Sequence, residues 1–215
     1  MALRVNEIFH SIQGESTYAG QPCVFIRLTG CNLRCCYCDT AYAYDEGSLM
    51  EIGEIVERIK GFGCTLVELT GGEPLLQDET PQLITALIDL GYRLLLETNG
   101  SKDIGPIDDR CVKIMDIKCP SSGEEKKNDL ENFNRLKPGD ELKFVIADRV
   151  DFEYAVDILS VMQDEIKDDI QVHFSPCFGR IEPRKLSEWI LKDKLNVRLN
   201  MQLHKYIWPP DMRGV

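Results

Sequence analysis

Apolar and polar positions along the chain switch between two periods. Cys23-Val24-Phe25-Ile26-Arg27-Leu28 is a β-rich run that leads straight into a cysteine-rich loop. Ile52, Ile55, Val56 and Ile59 then recur at i, i+3, i+4 and i+7, which predicts a helix ended by Gly61. Residues 65–69 predict the next strand, broken by Gly71-Gly72. Thr80-Pro81 opens a second helix carrying Leu83, Ile84, Leu87 and Ile88, with proline in a first turn that tolerates it. Strands are predicted again at 93–97, 112–117, 142–146 and 170–174, and a last alternating one at 197–203. Helical spacing returns at Ala155, Ile158, Leu159 and Met162, and at Leu186, Trp189 and Ile190.

Strands separated by helical stretches imply right-handed crossovers and a mainly parallel sheet. The expected fold is therefore α/β: a single domain over 1–215, built as an open sheet or a partial (β/α) barrel of six or seven strands. Residues 1–22 form an N-terminal extension to it, and the charged, irregular stretch 121–137 reads as a surface excursion. In such folds ligands collect at the carboxyl ends of the strands. Gly30-Cys31, Thr70 to Pro74, Thr98-Asn99-Gly100, Lys118-Cys119-Pro120, Ser175-Pro176 and Gln202-Leu203-His204 all fall at such ends, so the polar and glycine-rich positions gather on one rim.

Composition narrows the partners. Of 215 residues, 43% are hydrophobic and 28% charged, ordinary for a globular chain. A net charge of −11 disfavours nucleic acid and anionic membrane surfaces as partners. No apolar run has the length of a membrane span and the first residues lack a signal-peptide core, so a cytoplasmic location is expected.

Nine cysteines, an odd number with four inside eight residues, suggest metal or redox chemistry rather than a disulfide framework. Cys23, Cys64, Cys111, Cys119 and Cys177 are scattered and are expected to be buried small hydrophobes. Cys31, Cys35 and Cys38 instead give a Cys-x3-Cys-x2-Cys loop. Soft thiolates suit zinc or iron–sulfur clusters. A structural zinc site wants four ligands, and Cys36 is ill placed as the fourth because adjacent side chains in an extended loop point apart. Three thiolates on a four-iron cube leave one iron open to a substrate or cofactor. A non-catalytic zinc module remains the alternative.

With this spacing the chain resembles the radical S-adenosylmethionine (AdoMet) superfamily. The resemblance implies a 4Fe–4S cluster on Cys31, Cys35 and Cys38, with AdoMet on the fourth iron and cleaved to a 5′-deoxyadenosyl radical. Tyr37 takes the aromatic place before the last cysteine, and Gly71-Gly72-Glu73 resembles the superfamily's glycine–glutamate motif, whose exposed backbone would receive the ammonium of bound methionine. The Glu97-Thr98-Asn99-Gly100 stretch is similar to a strand end near the AdoMet ribose or substrate. By the same resemblance Tyr37, Cys38, Asp39, Gly72, Glu73, Asp116, Ile117, Lys118, Ser175, Pro176, Cys177 and Phe178 are expected AdoMet contacts.

A narrower likeness covers positions 7–206. Glu7 to Ser16, Phe25 to Cys31, Cys38-Asp39-Thr40 and Gln202 to Tyr206 resemble the family of 7-carboxy-7-deazaguanine synthases. That family contracts the ring of 6-carboxy-5,6,7,8-tetrahydropterin with loss of ammonia, in queuosine and deazapurine biosynthesis. The likeness implies a Mg²⁺ ion on Thr40, a homodimer, and an electron donor such as flavodoxin or ferredoxin. It also implies substrate contacts from Ile12, Gln13, Gly14, Glu15, Arg27, Thr70 and His204. The donor–acceptor edge of a pterin would suit the Gln13 amide and Glu15 carboxylate, and its carboxylate the planar fork of Arg27. Gln13 and Glu15 beside Gly14 also read as plain turn residues, and Arg27 as the polar face of a half-buried strand. His204 is expected to act from the closing strand, while His10 and His173 read as structural. A glycyl-radical-activating enzyme, which shares the cysteine loop and glycine motif, is the other enzymatic alternative.

Overall fold

The computed structural model describes residues 1–162 and 169–215. Within them the strands are β1 (Ala2–Ile12), β2 (Pro22–Leu28), β3 (Ser48–Glu51), β4 (Leu66–Gly71), β5 (Arg93–Thr98), β6 (Val112–Ile117), β7 (Glu141–Ile146), β8 (Gln171–Pro176) and β9 (Arg198–Leu199). The helices are α1 (Ile52–Lys60), α2 (Thr80–Asp89), α3 (Arg149–Val161), α4 (Pro183–Lys192) and α5 (His204–Ile207). All strands join one sheet in the order β3-β1-β2-β4-β5-β6-β7-β8-β9, and its two edges, β3 and β9, are not paired to each other. Neighbours from β2 to β9 run parallel, while β1 pairs antiparallel with both β2 and β3. The expected α/β architecture with mainly parallel strands is what forms, and the sheet is not closed.

Successive residues of a strand point to opposite faces, and here the two faces differ in chemistry. Val24, Ile26, Leu28, Val67, Leu69, Leu94 and Leu96 pack with Ile55 and Ile59 of α1 and Leu83, Ile84 and Leu87 of α2. Met115, Ile117, Leu142, Phe144, Ile146 and Phe174 pack with Phe152 and Ala155 of α3 and Leu186 and Ile190 of α4. The intervening positions face the other way. Their lower layer is apolar (Cys23, Phe25, Leu66, Leu95, Ile114), and their upper layer carries Arg27, Thr70, Glu97, Asp116 and Lys143. One cavity of about 610 Å³ touches residues of β1, β2, β4, β5, β6 and β7 and of the segment after β8, so the sheet curls round it.

Four expectations need correction. The N-terminal stretch is no appendage: β1 is an eleven-residue strand inside the sheet. Leu3, Val5 and Ile8 are all buried, because a register shift between Val5 and Glu7 changes the parity of the inward positions. β3 was not foreseen either. The predicted strand 197–203 is only two residues long, since the Asn200 side chain bonds Ser16 N–H and the Ser175 hydroxyl and the chain enters α5. Finally, the charged stretch 121–137 is more than a surface excursion: it folds into short 3-10 turns that bury Ser122, Asn132, Phe133 and Leu136. No helix of the described residues is long and apolar enough to cross a membrane.

Candidate active site

The cysteine loop starts just past the end of β2, at Gly30, whose φ of +102° turns the chain away from the sheet. Buried Leu33 and the Arg34 guanidinium, which donates to the carbonyls of Cys31 (2.8 Å) and Leu33 (2.7 Å), fix its shape. Gly72 lies directly beneath it. A Cβ there would stand 2.6 Å from the Gly30 carbonyl carbon and 2.7 Å from the Cys31 Cβ. The glycine pair is thus needed for a close approach of two loops. Cys31, Cys35 and Cys38 all line the cavity. Cys36 does not; its backbone N–H donates to Ser122 (3.0 Å), and its side chain is exposed beside Gly123.

Burial raises the pKa of the Cys31 thiol and pushes that of Cys35 up to about 11, against the opposing pull of the Lys118 ammonium. Metal binding here would therefore release protons. The donor set is soft and three-fold, and it opens onto a cavity lined by polar backbone and side chains, which fits a 4Fe–4S cluster with one open iron. Among the described residues no group of three or more His, Cys, Asp or Glu is arranged to hold a single metal ion.

The alternation of the strands sorts the remaining expected cofactor contacts. Tyr37, Asp39, Gly72, Asp116, Lys118, Cys177 and Phe178 line the cavity. Lys118 Nζ pairs with Asp116 at 2.8 Å, both side chains nearly buried. Ile117 and Pro176 do not line it: each is one residue out of phase with the inward set, and Ile117 is completely buried against the helices. Ser175 is absent from the lining too, its hydroxyl accepting from Asn200 Nδ2 at 2.9 Å. Glu73 is absent from the lining as well. Its fully buried carboxylate accepts from Leu75 N–H (2.9 Å), the Thr98 hydroxyl (2.9 Å) and Asn99 N–H (2.7 Å), so it fastens β5's end to the glycine turn.

The expected substrate residues share this cavity: Ile12, Gln13, Gly14, Glu15, Arg27, Thr70 and His204 all line it. Their engagement differs from expectation in three places. Gln13 is buried, with its amide donating to Glu68 and accepting from Glu15 N–H at 3.0 Å, so it shapes the loop rather than presenting a free amide. Arg27 already has an anion, because its Nε donates to Glu7 at 2.8 Å and Tyr42 O–H donates to the same carboxylate oxygen at 3.0 Å. Among the described residues its terminal nitrogens have no hydrogen-bond partner, and the guanidinium packs against the rings of Phe9 and Tyr42. His204 acts from α5, not from a strand, and packs on the loop: a Cβ at Gly14 would lie 3.1 Å from the His204 ring Cγ. Burial lowers the His204 pKa, opposed by the Glu15 carboxylate.

Several lining residues were not foreseen from sequence. Glu68, Lys143, Arg180 and Tyr42 belong to it, as do residues 210–215, which lie along the cavity with Arg213 stacked 3.8 Å from the Tyr42 ring centroid and paired with Glu46 at 3.1 Å. Glu68 and Lys143 sit on inward strand positions, and that parity was the signal available. Thr40 lines the cavity and donates its hydroxyl proton to Asp39 (2.9 Å), which Lys205 also binds at 2.5 Å. The Lys205 charge overcomes the effect of burial and holds Asp39 down at about 2.

Comparison with known proteins agrees with this geometry. Residues 25–117 match the model of the radical SAM superfamily. The chain is 47% identical to the 7-carboxy-7-deazaguanine synthase of Chlorobaculum tepidum over 99% of this chain and 97% of that one. It is 42% identical to the enzyme of that name from Koribacter versatilis, over 99% and 100%. The crystal structure of QueE from Escherichia coli shares the fold, with a TM-score of 0.79, 24% identity and 95% of each chain covered. The chain therefore belongs to the 7-carboxy-7-deazaguanine synthase family of the radical SAM superfamily.

Proposed function

We propose that this protein is a radical AdoMet carbon–nitrogen lyase that converts 6-carboxy-5,6,7,8-tetrahydropterin to 7-carboxy-7-deazaguanine and ammonia, in queuosine or other deazapurine biosynthesis. One observation carries the reading. The three-cysteine loop and the glycine pair line the same cavity as Arg27, Glu15 and His204. A reactive carbon generated beside the cysteine loop would thus meet a pterin held in that same cavity.

Cys31, Cys35 and Cys38 would hold the 4Fe–4S cluster, and the chemistry that cluster and AdoMet supply together is one-electron cleavage to a carbon radical that removes a substrate hydrogen. The protein's own part is binding and orientation. The backbone at Gly71-Gly72 is open to an ammonium group, and Asp116 with Lys118 offers an acceptor and a donor for the rest of AdoMet. Arg27, steadied by Glu7 and Tyr42, presents its terminal nitrogens to the pterin carboxylate. Glu15 accepts from the pterin's N–H edge, with His204 and Thr70 beside it. Thr40, its proton turned to Asp39, keeps lone pairs for a Mg²⁺ ion that otherwise binds water and substrate oxygens. The reading includes a homodimer in the cytoplasm and reduction by flavodoxin or ferredoxin. Membership in the family sets aside the glycyl-radical-activating alternative.

The test is anaerobic incubation with carboxytetrahydropterin, AdoMet and reductant. A product lighter than substrate by one ammonia is expected; unchanged pterin beside cleaved AdoMet would exclude it as the substrate.

A further inference from the structure

We infer that Lys143 is a positioning residue of the substrate site, whose ammonium ties Glu15 and Glu97 into one fixed pair of anionic acceptors beneath the bound pterin. The inference rests on the pterin reading above and deepens it. Lys143 is an inward residue of β7, in register with Asp116 of β6, and its side chain is only 7% exposed. Its Nζ donates to Glu15 Oε2 at 2.9 Å and to Glu97 Oε1, and lies 3.8 Å from Asp116 Oδ2. Three carboxylates from three separate segments thus meet one ammonium at the bottom of the cavity.

The surrounding charges show why a cation is needed there. Glu15, Glu68 of β4, Asp116 of β6, Lys118 just beyond that strand, Arg27 of β2 and His204 of α5 all line the same cavity as Glu97. Glu141 and His173, whose nearest side-chain atoms are 2.7 Å apart, lie one inward position below Lys143 on β7 and beside it on β8. Carboxylates this crowded and dry cannot all stay ionised without compensation. Two of them show the contrast. Burial acts on both, but Glu97, bonded to Lys143, is held below the usual carboxylate range, whereas Glu68, whose hydrogen-bond partner is the neutral Gln13 amide, is driven well above it.

The consequence is chemical selectivity. An ionised carboxylate only accepts hydrogen bonds, while a protonated one presents a donor. A pterin turns N–H donors toward Glu15, so a proton on Glu15 or Glu97 would set donor against donor. Lys143 also helps to fix where the acceptors stand: Asn200 donates to the same Glu15 oxygen, Oε2, at 3.4 Å, and Gln202 holds the other, Oε1, at 2.9 Å.

The experiment uses the cluster-loaded enzyme with AdoMet bound. Affinity for carboxytetrahydropterin is measured by calorimetry between about pH 6 and 8, spanning the range just above ordinary carboxylate values. Protonated glutamate is counted in the same samples by isotope-edited infrared spectroscopy. The parent is expected to show a protonated-glutamate signal from Glu68, lost in Glu68→Gln, and an affinity that does not change with pH. Lys143→Met is expected to gain a second protonated glutamate and to bind the pterin roughly 10–100-fold more weakly, increasingly so as pH falls. Lys143→Arg keeps the charge and is expected to gain no protonated glutamate. A Lys143→Met variant with the parent's spectrum or the parent's affinity would overturn the assignment. Should Lys143→Met fail to fold, a second protonated glutamate in Lys143→Arg would overturn it equally. If the parent binds no carboxytetrahydropterin, the functional reading fails by itself, and the infrared comparison still decides the role of Lys143.

Discussion

Gly72→Ala probes the seat of the cysteine loop with one carbon atom. The added Cβ would stand 2.6 Å from the Gly30 carbonyl carbon and 2.7 Å from the Cys31 Cβ, roughly 1 Å inside ordinary carbon–carbon contact. Neither neighbour is the end of a flexible side chain, and Gly30 also accepts the Glu73 N–H at 2.7 Å, so relief requires the loop to lift. Overpacking of this kind costs about 1–3 kcal/mol. For a chain of this size that lowers the melting temperature by about 2–12 °C. Gly53→Ala supplies the comparison: it is exposed in α1 with nothing near its would-be Cβ, and alanine there should stabilise by about 0.5–1 kcal/mol. The assay is calorimetric melting together with iron content after anaerobic reconstitution. Gly72→Ala is expected to melt lower and to lose iron and AdoMet cleavage, and Gly53→Ala to melt slightly higher with full iron. A Gly72→Ala protein that keeps both stability and cluster would show that the two loops are not in contact as described.

Four further outcomes follow from the site. Cys31→Ala, Cys35→Ala and Cys38→Ala should each abolish AdoMet cleavage while Cys36→Ala keeps iron and activity; iron loss from Cys36→Ala would break the ligand assignment. Arg27→Lys, which cannot present a planar fork, should weaken carboxytetrahydropterin binding by roughly 1.5–3 kcal/mol, measured by calorimetry beside Arg27→Ala. Parent-like affinity in both would make Arg27 purely a partner of Glu7. Because burial lowers the His204 pKa, the unfolded chain binds more protons than the folded one just below the ordinary imidazole value of about 6.5. Stability should therefore fall as pH drops through that value, and a denaturation series on His204→Gln should lack that part of the slope. Thr40→Val should raise the Mg²⁺ concentration needed for half-maximal turnover, and an unmoved magnesium response would remove Thr40 from the metal site.

The parallel strands and four long helices were legible because each obeys a single period over its whole length. β1 was not, since its bulge at Val5/Glu7 puts Leu3 and Val5 on one parity and Ile8 on the other. β9 misled in the opposite sense: its alternation is clear, but Asn200 forms side-chain bonds to Ser16 N–H and the Ser175 hydroxyl, and the ladder stops. The cysteine triad and the rim at strand ends could be read from local spacing alone. Ile117 and Pro176 could not be sorted from Asp116 and Cys177 by motif, and only the inward parity separates them. Motif position likewise says nothing of where the Glu73 carboxylate turns, which is to Leu75, Thr98 and Asn99. Lys143 was invisible, an ordinary polar residue in an apolar strand whose partners lie at positions 15, 97 and 116.

The central claim is that one cavity holds AdoMet and the pterin against each other. Its most direct measurement is an anaerobic turnover with carboxytetrahydropterin deuterated on its saturated ring carbons, followed by mass analysis of product and of the AdoMet pool. The account predicts a deazaguanine product lighter by one ammonia, and deuterium recovered in AdoMet or 5′-deoxyadenosine. Cleaved AdoMet free of deuterium beside intact pterin would contradict it.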